Sequence, residues 1–250
     1  MDFDLSADQE ALQDAARSLL GDRCTSAHVR AAADTGGFDP DLWAAMVEQG
    51  WPAIAVDDAH GGVGLGTVEV AVLLEQAGAH LAPVPLLQQI LALDALAGTD
   101  RTEALVTGAQ IACVARTPLE RGADGSVSGR TEPVIDGARA DLRVAPAGDE
   151  LVMVDRSDVP RTAEPAMDRT RELARIELDG TPAVTAGGAA AVAHHLDRGA
   201  VYHAAEMLGG ADAVLALAVD YAKEREQFGR PIGSFQAVKH RCADMLVDVE

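Results

Sequence analysis

Aromatic residues are scarce in this sequence: Phe, Tyr and Trp make up 3% of its 250 residues, although hydrophobic residues make up 48%. A packed core can therefore form, but it has to be built from Ala, Val, Leu and Ile. Ala, Leu and Glu favour helix, so the composition predicts a largely helical protein. The length allows one large domain or two to three small ones.

Positive charge is also scarce, with 20 basic against 40 acidic residues and a formal net charge of −20. A surface this acidic repels nucleic acid and anionic membranes, so we expect neither as a partner. A phosphate-bearing ligand stays compatible with it, because such a ligand needs only a local basic patch. No apolar run reaches membrane-spanning length, and the acidic start "MDFDLSADQE" has no apolar segment of a signal peptide.

Cysteine is rare and odd in number, and Cys24, Cys113 and Cys242 lie far apart. Their spacing fits neither a disulfide framework nor a zinc site. We therefore expect free thiols and a reducing, cytoplasmic location.

Motifs for several other chemistries are missing. The loop "GGVGLG" at 61–66 is not a dinucleotide fingerprint, because the third glycine of G-x-G-x-x-G would fall on Thr67. His194 and His195 are adjacent, so on a helix they point in different directions, and no second ligand follows at helical spacing. We expect no metal site. No G-x-S-x-G nucleophile motif occurs, and "GSVSG" fits a turn.

The first hundred residues predict helices with clear boundaries. Ser6 and Gln9 fit a capping box, and Asp39 precedes Pro40 as an N-cap. Thr67 is expected to cap a helix that ends at Gly78. A further helix ends near residue 98.

The pattern changes near residue 108, where short β-branched or alternating segments predict a small antiparallel sheet. Helical spacing returns near residue 188 as one long helix with a weak point at Gly209–Gly210. "GRPIGS" ends that helix, and Ser234 is expected to cap the next one. The sequence stops without a C-cap signal, which we interpret as a shortened chain.

We therefore predict a mainly α protein with a small central β domain. Its expected parts are an N-terminal helical domain over 1–107, a small β-sheet domain over 108–187 and the first part of a C-terminal helical bundle over 188–250.

The most varied chemistry lies in "EREQFGRPIGSFQAVKH", residues 224–240. By charge pattern alone Arg225, between two glutamates, would be a solvated helix residue. The wider pattern favours a ligand: Arg225 offers a fork suited to pyrophosphate, Phe228 a flat apolar face and Gln236 an amide. Together these groups suit a nucleotide-like cofactor.

This stretch closely resembles the acyl-CoA dehydrogenase segment R-x-x-F-G-x-x-I-x-x-F-Q-x-x-x-x-x-x-A-D-M. Residues 50–85 resemble the same family's loop and helix around G-G-x-G and E-x-x-G. The resemblance covers nearly the whole chain and implies that family's fold: an N-terminal helical domain, a β-sheet domain and a C-terminal helical bundle, here incomplete.

The resemblance implies an FAD-dependent oxidoreductase that desaturates an acyl-CoA thioester between Cα and Cβ. In the family, a Glu takes the α-proton while the flavin accepts the β-hydride. Members are usually tetramers, in which this segment reaches the FAD of a neighbouring subunit. By that match Arg225 contacts the pyrophosphate, Phe228 packs on the nucleotide end and Gln236 bonds to it. An electron-transfer flavoprotein is the usual redox partner.

The sequence departs from the family where the flavin's own subunit normally clasps it. The family's T-E-x-x-x-G-S-D segment is reduced to "RTP" at 116–118, and Pro133 and Ile135 replace an aromatic residue and a Thr. The catalytic Glu is not visible either. One branch carries it at the position of Gly199, and Glu206, seven residues further on, is interpreted as an exposed or interfacial helix residue.

Two hypotheses follow. The chain is a subunit of an acyl-CoA dehydrogenase, homomeric or of the bacterial α2β2 type that acts on bulky acyl-CoAs. Alternatively, it is a non-catalytic, flavin-poor partner that completes another chain's FAD site. An oxidase on the same fold and a plain helical interaction domain also remain open.

Overall fold

The computed structural model describes residues 4–155 and 161–250 of the chain. Its helices are α1 (Ala7–Arg23), α2 (Ser26–Asp34), α3 (Pro40–Glu48), α4 (Thr67–Ala79), α5 (Leu86–Leu96), α6 (Thr102–Val106), α7 (Ala189–Glu224) and α8 (Gln236–Val249). Its strands are β1 (Ala112–Val114), β2 (Glu120–Arg121), β3 (Ser126–Arg130), β4 (Val134–Ile135), β5 (Leu142–Ala147), β6 (Glu150–Asp155), β7 (Arg161–Glu164), β8 (Leu173–Pro182), β9 (Val184–Gly187), β10 (Glu226–Gln227) and β11 (Arg230–Pro231).

The N-terminal helices begin where local capping chemistry predicts. The Ser6 hydroxyl accepts a hydrogen bond from the backbone N–H of Gln9, and the Gln9 side chain accepts one from the N–H of Ser6. The Asp39 carboxylate caps α3. The prediction for Thr67 is wrong, because Gly66 is the N-cap of α4 and the carboxylate of Glu69 accepts from its N–H at 2.9 Å.

The central strands form two sheets instead of the single antiparallel sheet that the alternating segments predicted. The first sheet has the order β1-β5-β6-β9, and its β1–β5 pair is parallel. The second has the order β2-β3-β8-β4, with β7 also paired to β8, and its pairs are antiparallel. Sequence alternation reports which side chains face the core, but not which strand lies beside which.

The molecule has two hydrophobic cores, one on each face of the first sheet. Both faces contribute because successive side chains along a strand point to opposite sides. Val144 and Met153 belong to the main core, which also contains buried side chains of the N-terminal helices and Tyr202 of α7. Ala145 and Val152, their neighbours along the strands, belong to a second core shared with the second sheet. The main core thus continues from the first helices through the first sheet into α7. The division of the chain at residues 107 and 187 stays a prediction.

Helices α4 and α7 pack backbone against backbone at two glycines. A Cβ on Gly209 would lie 1.8 Å from the carbonyl oxygen of Glu75, and a Cβ on Gly78 would lie 1.9 Å from that of Glu206. The long helix over Gly209 and Gly210 is confirmed, whereas α4 ends at Ala79, one residue after the predicted end at Gly78. The sequence did not indicate that both glycines lie at a helix crossing, and α7 continues through Gly209 and Gly210 without a break. Their missing side chains allow the two helices to approach.

Among the described residues, no helix is both long and apolar enough to cross a membrane.

We expect Gly209→Ala to lower the free energy of unfolding by about 3 kcal/mol or more, because the added methyl group overlaps a backbone carbonyl that cannot rotate away. Gly199→Ala on the same helix is the matched control, since a Cβ there meets no atom within 4 Å. It should be neutral or stabilising by up to about 1 kcal/mol through helix propensity. Chemical denaturation of both variants measures the difference, and equal stabilities would contradict the close packing.

Candidate functional site

Residues 225–236 form a hairpin and a short turn at the C-terminal end of α7. Strands β10 and β11 pair antiparallel, and Phe228 and Gly229 form the two-residue loop between them. Both loop residues have positive φ, +56° and +74°, the backbone of a type I′ turn. The N–H of Ile232 donates to the carbonyl of Arg225 at 2.7 Å, which holds the hairpin against the end of α7.

Phe228 is held in an unfavourable conformation that projects its ring into solvent. A left-handed backbone is costly for a residue other than Gly, Asn or Asp, yet Phe228 adopts it and is 92% exposed. Its ring makes an edge-to-face contact with Phe235 at 6.1 Å between centroids. The guanidinium of Arg230 lies 4.1 Å from the Phe235 ring centroid. The hairpin therefore presents a supported apolar surface with a cation beside it.

Arg225 and Gln236 lie at the two ends of this unit. Arg225 is the C-cap of α7, and Gln236 is the first residue of α8. Both side chains are exposed, and neither has a hydrogen bond or ion pair among the residues the structure describes. The prediction that Ser234 caps α8 is wrong, because Phe235 is the N-cap and makes no side-chain hydrogen bond there. The structure thus brings all three predicted cofactor-binding residues onto one exposed segment.

The sheet region does not offer a flavin the same kind of surface. The backbone N–H groups of Arg116 and Thr117 both donate to the carboxylate of Glu132, at 2.6 and 3.0 Å. Pro133 and Ile135 provide neither a flat ring nor a hydroxyl. The donors and side chains at this face therefore do not fit an isoalloxazine ring. Sequence reasoning missed Glu132, because its partners lie 15 and 16 residues away and no local pattern marks them.

Glu206 has a structural partner within the chain and is not the exposed helix residue that was one of the two expectations. Its carboxylate accepts a 2.6 Å hydrogen bond from the guanidinium of Arg171, and both side chains are largely buried. Burial alone would lower the pKa of Arg171, but Glu206 and the buried Asp136 raise it above its ordinary value. The pair ties α7 to the segment before β8. Gly199, where one branch of the family carries its base, has no side chain to act as one.

The remaining candidates have structural roles as well. The N–H groups of Val63, Gly64 and Leu65 donate to carbonyls of residues 53, 56 and 54, so these loop amides are already used. His194 Nε2 lies 3.1 Å from a carboxylate oxygen of Asp94. No group of three metal-ligating side chains occurs among the described residues.

The cysteines are free thiols, and two of them are poor nucleophiles. Burial raises the pKa of Cys24 and of Cys113 to about 12 in each case, with Asp39 adding to the effect at Cys24. The uncharged thiol is therefore the form present at neutral pH.

The fold is that of an FAD-dependent oxidoreductase family, and comparison with known proteins identifies which one. Residues 6–107 match the acyl-CoA dehydrogenase N-terminal domain, and residues 186–250 match the acyl-CoA dehydrogenase C-terminal domain. The chain belongs to the acyl-CoA dehydrogenase family. The predicted fold class, enzyme class and FAD as the family's cofactor are thereby confirmed.

Individual proteins that are similar to this chain belong to the same family. Acyl-CoA dehydrogenase IpdE2 of Mycolicibacterium smegmatis is 38% identical over 98% of this chain and 74% of its own length. A chain in the crystal structure of the ChsE4-ChsE5 complex from Mycobacterium tuberculosis superimposes with a TM-score of 0.92 and has 29% sequence identity. The match covers 100% of this chain and 76% of that chain. A variant of the steroid acyl-CoA dehydrogenase Tcur3481-Tcur3483 is 32% identical with a TM-score of 0.88, covering 97% and 74%.

We expect Phe228→Asn to separate folding from cofactor binding. Asn adopts positive φ readily and is favoured before Gly in a type I′ turn, so thermal stability of the chain should stay the same or rise. Flavin retention by the assembled enzyme should fall, because the apolar ring is lost. Parallel thermal melts and flavin absorbance measure the two effects. A variant that loses stability but keeps its flavin would show that Phe228 serves the fold.

Proposed function

We propose that this chain is one subunit of a heteromeric FAD-dependent acyl-CoA dehydrogenase and lends its hairpin to the FAD held by a partner chain. The observation that carries the proposal is the Phe228 ring, exposed on a positive-φ backbone and braced from behind by Phe235. A ring held in this way is prepared for a contact outside its own chain. The relatives solved as ChsE4-ChsE5 and Tcur3481-Tcur3483 assemblies support a two-chain enzyme.

The hairpin fits one end of FAD. Arg225 would hold the pyrophosphate by charge-assisted hydrogen bonds, and Phe228 would cover the nucleotide end. Gln236 would add a hydrogen bond from the start of α8, where unpaired backbone N–H groups also favour negative charge. When bound, FAD accepts the hydride that leaves the β-carbon of the acyl-CoA. This chain's own groups only bind and orient the cofactor.

We further propose that the general base comes from outside residues 1–250. Gly199 has no side chain, and Glu206 is committed to Arg171. The substrate we propose is a bulky acyl-CoA, because one of the similar structures is that of a steroid acyl-CoA dehydrogenase. We also propose a tetramer, a cytoplasmic location and an electron-transfer flavoprotein as redox partner. The three free thiols support the location.

The test is the flavin content per chain, measured by visible absorbance on the protein purified alone and with a co-expressed acyl-CoA dehydrogenase partner. We expect no flavin in the protein alone and half a flavin per chain in the mixed complex. One flavin per chain in the protein alone would identify a homomeric dehydrogenase that holds its own FAD. A colourless mixed complex would also overturn the proposal.

Arg225→Ala should weaken FAD retention in the mixed complex by roughly 1.5–3 kcal/mol, the contribution of a hydrogen bond to a charged group. Equilibrium dialysis against FAD measures the change. Arg17→Ala is the control, because Arg17 is exposed on α1 and forms an ion pair within its own helix, with Asp14. Equal flavin retention in the two variants would rule out a role for Arg225.

A further inference from the structure

The segment that follows β1 directs two backbone donors towards one point, and its two ends are held by hydrogen bonds to β5. The N–H of Ala115 donates to the carbonyl of Val144, and the N–H of Leu119 donates to that of Pro146, both at 2.8 Å. Between these points the N–H groups of Arg116 and Thr117 converge on a single carboxylate. Successive N–H groups that converge in this way form a concave site for an anion or a carbonyl oxygen.

Glu132 fills that site from within the chain. Its Oε1 accepts from Arg116 N–H at 2.6 Å and its Oε2 from Thr117 N–H at 3.0 Å. The N–H of Glu132 donates in return to the Thr117 hydroxyl at 3.2 Å. Although partial burial acts to raise the pKa of Glu132, these hydrogen bonds lower it below its ordinary value. The carboxylate is therefore ionised at neutral pH and bonded through both oxygens.

The backbone around Glu132 is fixed as firmly as its side chain. Thr131 N–H donates to the carbonyl of Ile176, and the Thr131 hydroxyl accepts from Ile176 N–H, both at 3.1 Å. β4 begins two residues after Glu132 and pairs with β8. The carboxylate is thus tethered next to the two donors by a short, ordered segment, and its position is set by the sheet.

A neutral ligand carbonyl competes poorly with this arrangement. Hydrogen bonds from N–H to an ionised carboxylate are roughly twice as strong as those to a neutral acceptor. The tether adds a high effective concentration that a free ligand lacks. Pro133 and Ile135 beside it supply no ring or hydroxyl that would compensate a flavin for the lost N–H contacts.

We propose that Glu132 is an internal occupant that closes this chain's own flavin face. The inference rests on the proposed function, since it explains why a chain with a complete hairpin would hold no FAD itself. Flavin in the assembly is then bound only at the face of the partner, and the hairpin of this chain completes that site.

Riboflavin is the probe for the test, because it carries the isoalloxazine ring without pyrophosphate or adenine and so reports on this face independently of Arg225 and Phe228. Binding to the purified full chain is followed by quenching of riboflavin fluorescence. We expect weak or undetectable binding to the wild type and an affinity higher by about tenfold or more in Glu132→Ala. Glu177→Ala is the control, because Glu177 is exposed on β8 and its carboxylate pairs with the guanidinium of Arg130 at 3.3 Å, away from the donors of Arg116 and Thr117.

Glu132→Gln keeps one acceptor oxygen, so its riboflavin affinity should lie between those of the wild type and Glu132→Ala. It is the deciding variant if circular dichroism shows that Glu132→Ala does not fold. Riboflavin affinity that is unchanged in both Glu132 variants overturns the proposal, as does equal gain in Glu177→Ala. This test can fail while the proposed function holds. If the Glu132 variants gain no riboflavin affinity but the mixed complex contains half a flavin per chain, only the role of Glu132 is contradicted.

Discussion

The close contact between α4 and α7 sets the position of the rest of α7 and of the hairpin that follows it. At Gly78 and Gly209 the two helices touch through backbone atoms, so their separation is fixed by steric contact between rigid backbones and not by adaptable side chains. Helix α7 is continuous, and Arg225 follows Gly209 by sixteen residues, or about 24 Å of helix. A shift at the crossing would therefore be carried along a rigid rod to the hairpin. The same helix places Tyr202 in the main core.

Local features of the fold could be predicted from the sequence, whereas features that depend on a distant partner could not. Ser6 and Asp39 cap helices through neighbours two or three residues away, which the sequence displays directly. Thr67 looked like the same kind of residue, but its hydroxyl instead accepts a hydrogen bond from Arg198, 131 residues later. A glycine has the same local signature whether it ends a helix or permits close packing. The roles of Gly78 and Gly209 were hidden for that reason.

The candidate site divides in the same way. Arg225, Phe228 and Gln236 were predicted because they lie within twelve residues and carry a recognisable motif, and their assignment to FAD remains a prediction. The positive φ of Phe228 was not predictable, since the sequence "QFGR" does not show the sign of a dihedral angle. No sequence pattern marked Glu132, because its role depends on the two N–H groups that the turn after β1 directs towards it.

The hairpin and the sheet face are opposite in character, and under the proposed function this difference explains why the chain would depend on assembly. On the sheet face, the N–H donors of Arg116 and Thr117 are satisfied by the carboxylate of Glu132. On the hairpin, a left-handed Phe costs about 1–2 kcal/mol. Burying its ring against a partner or a cofactor returns about 2–3 kcal/mol, which outweighs that cost only when the ring is covered. The basic side chains from Lys223 to Arg241 also stand out on a chain of net charge −20. A pyrophosphate would be attracted to this segment and repelled by most of the remaining surface.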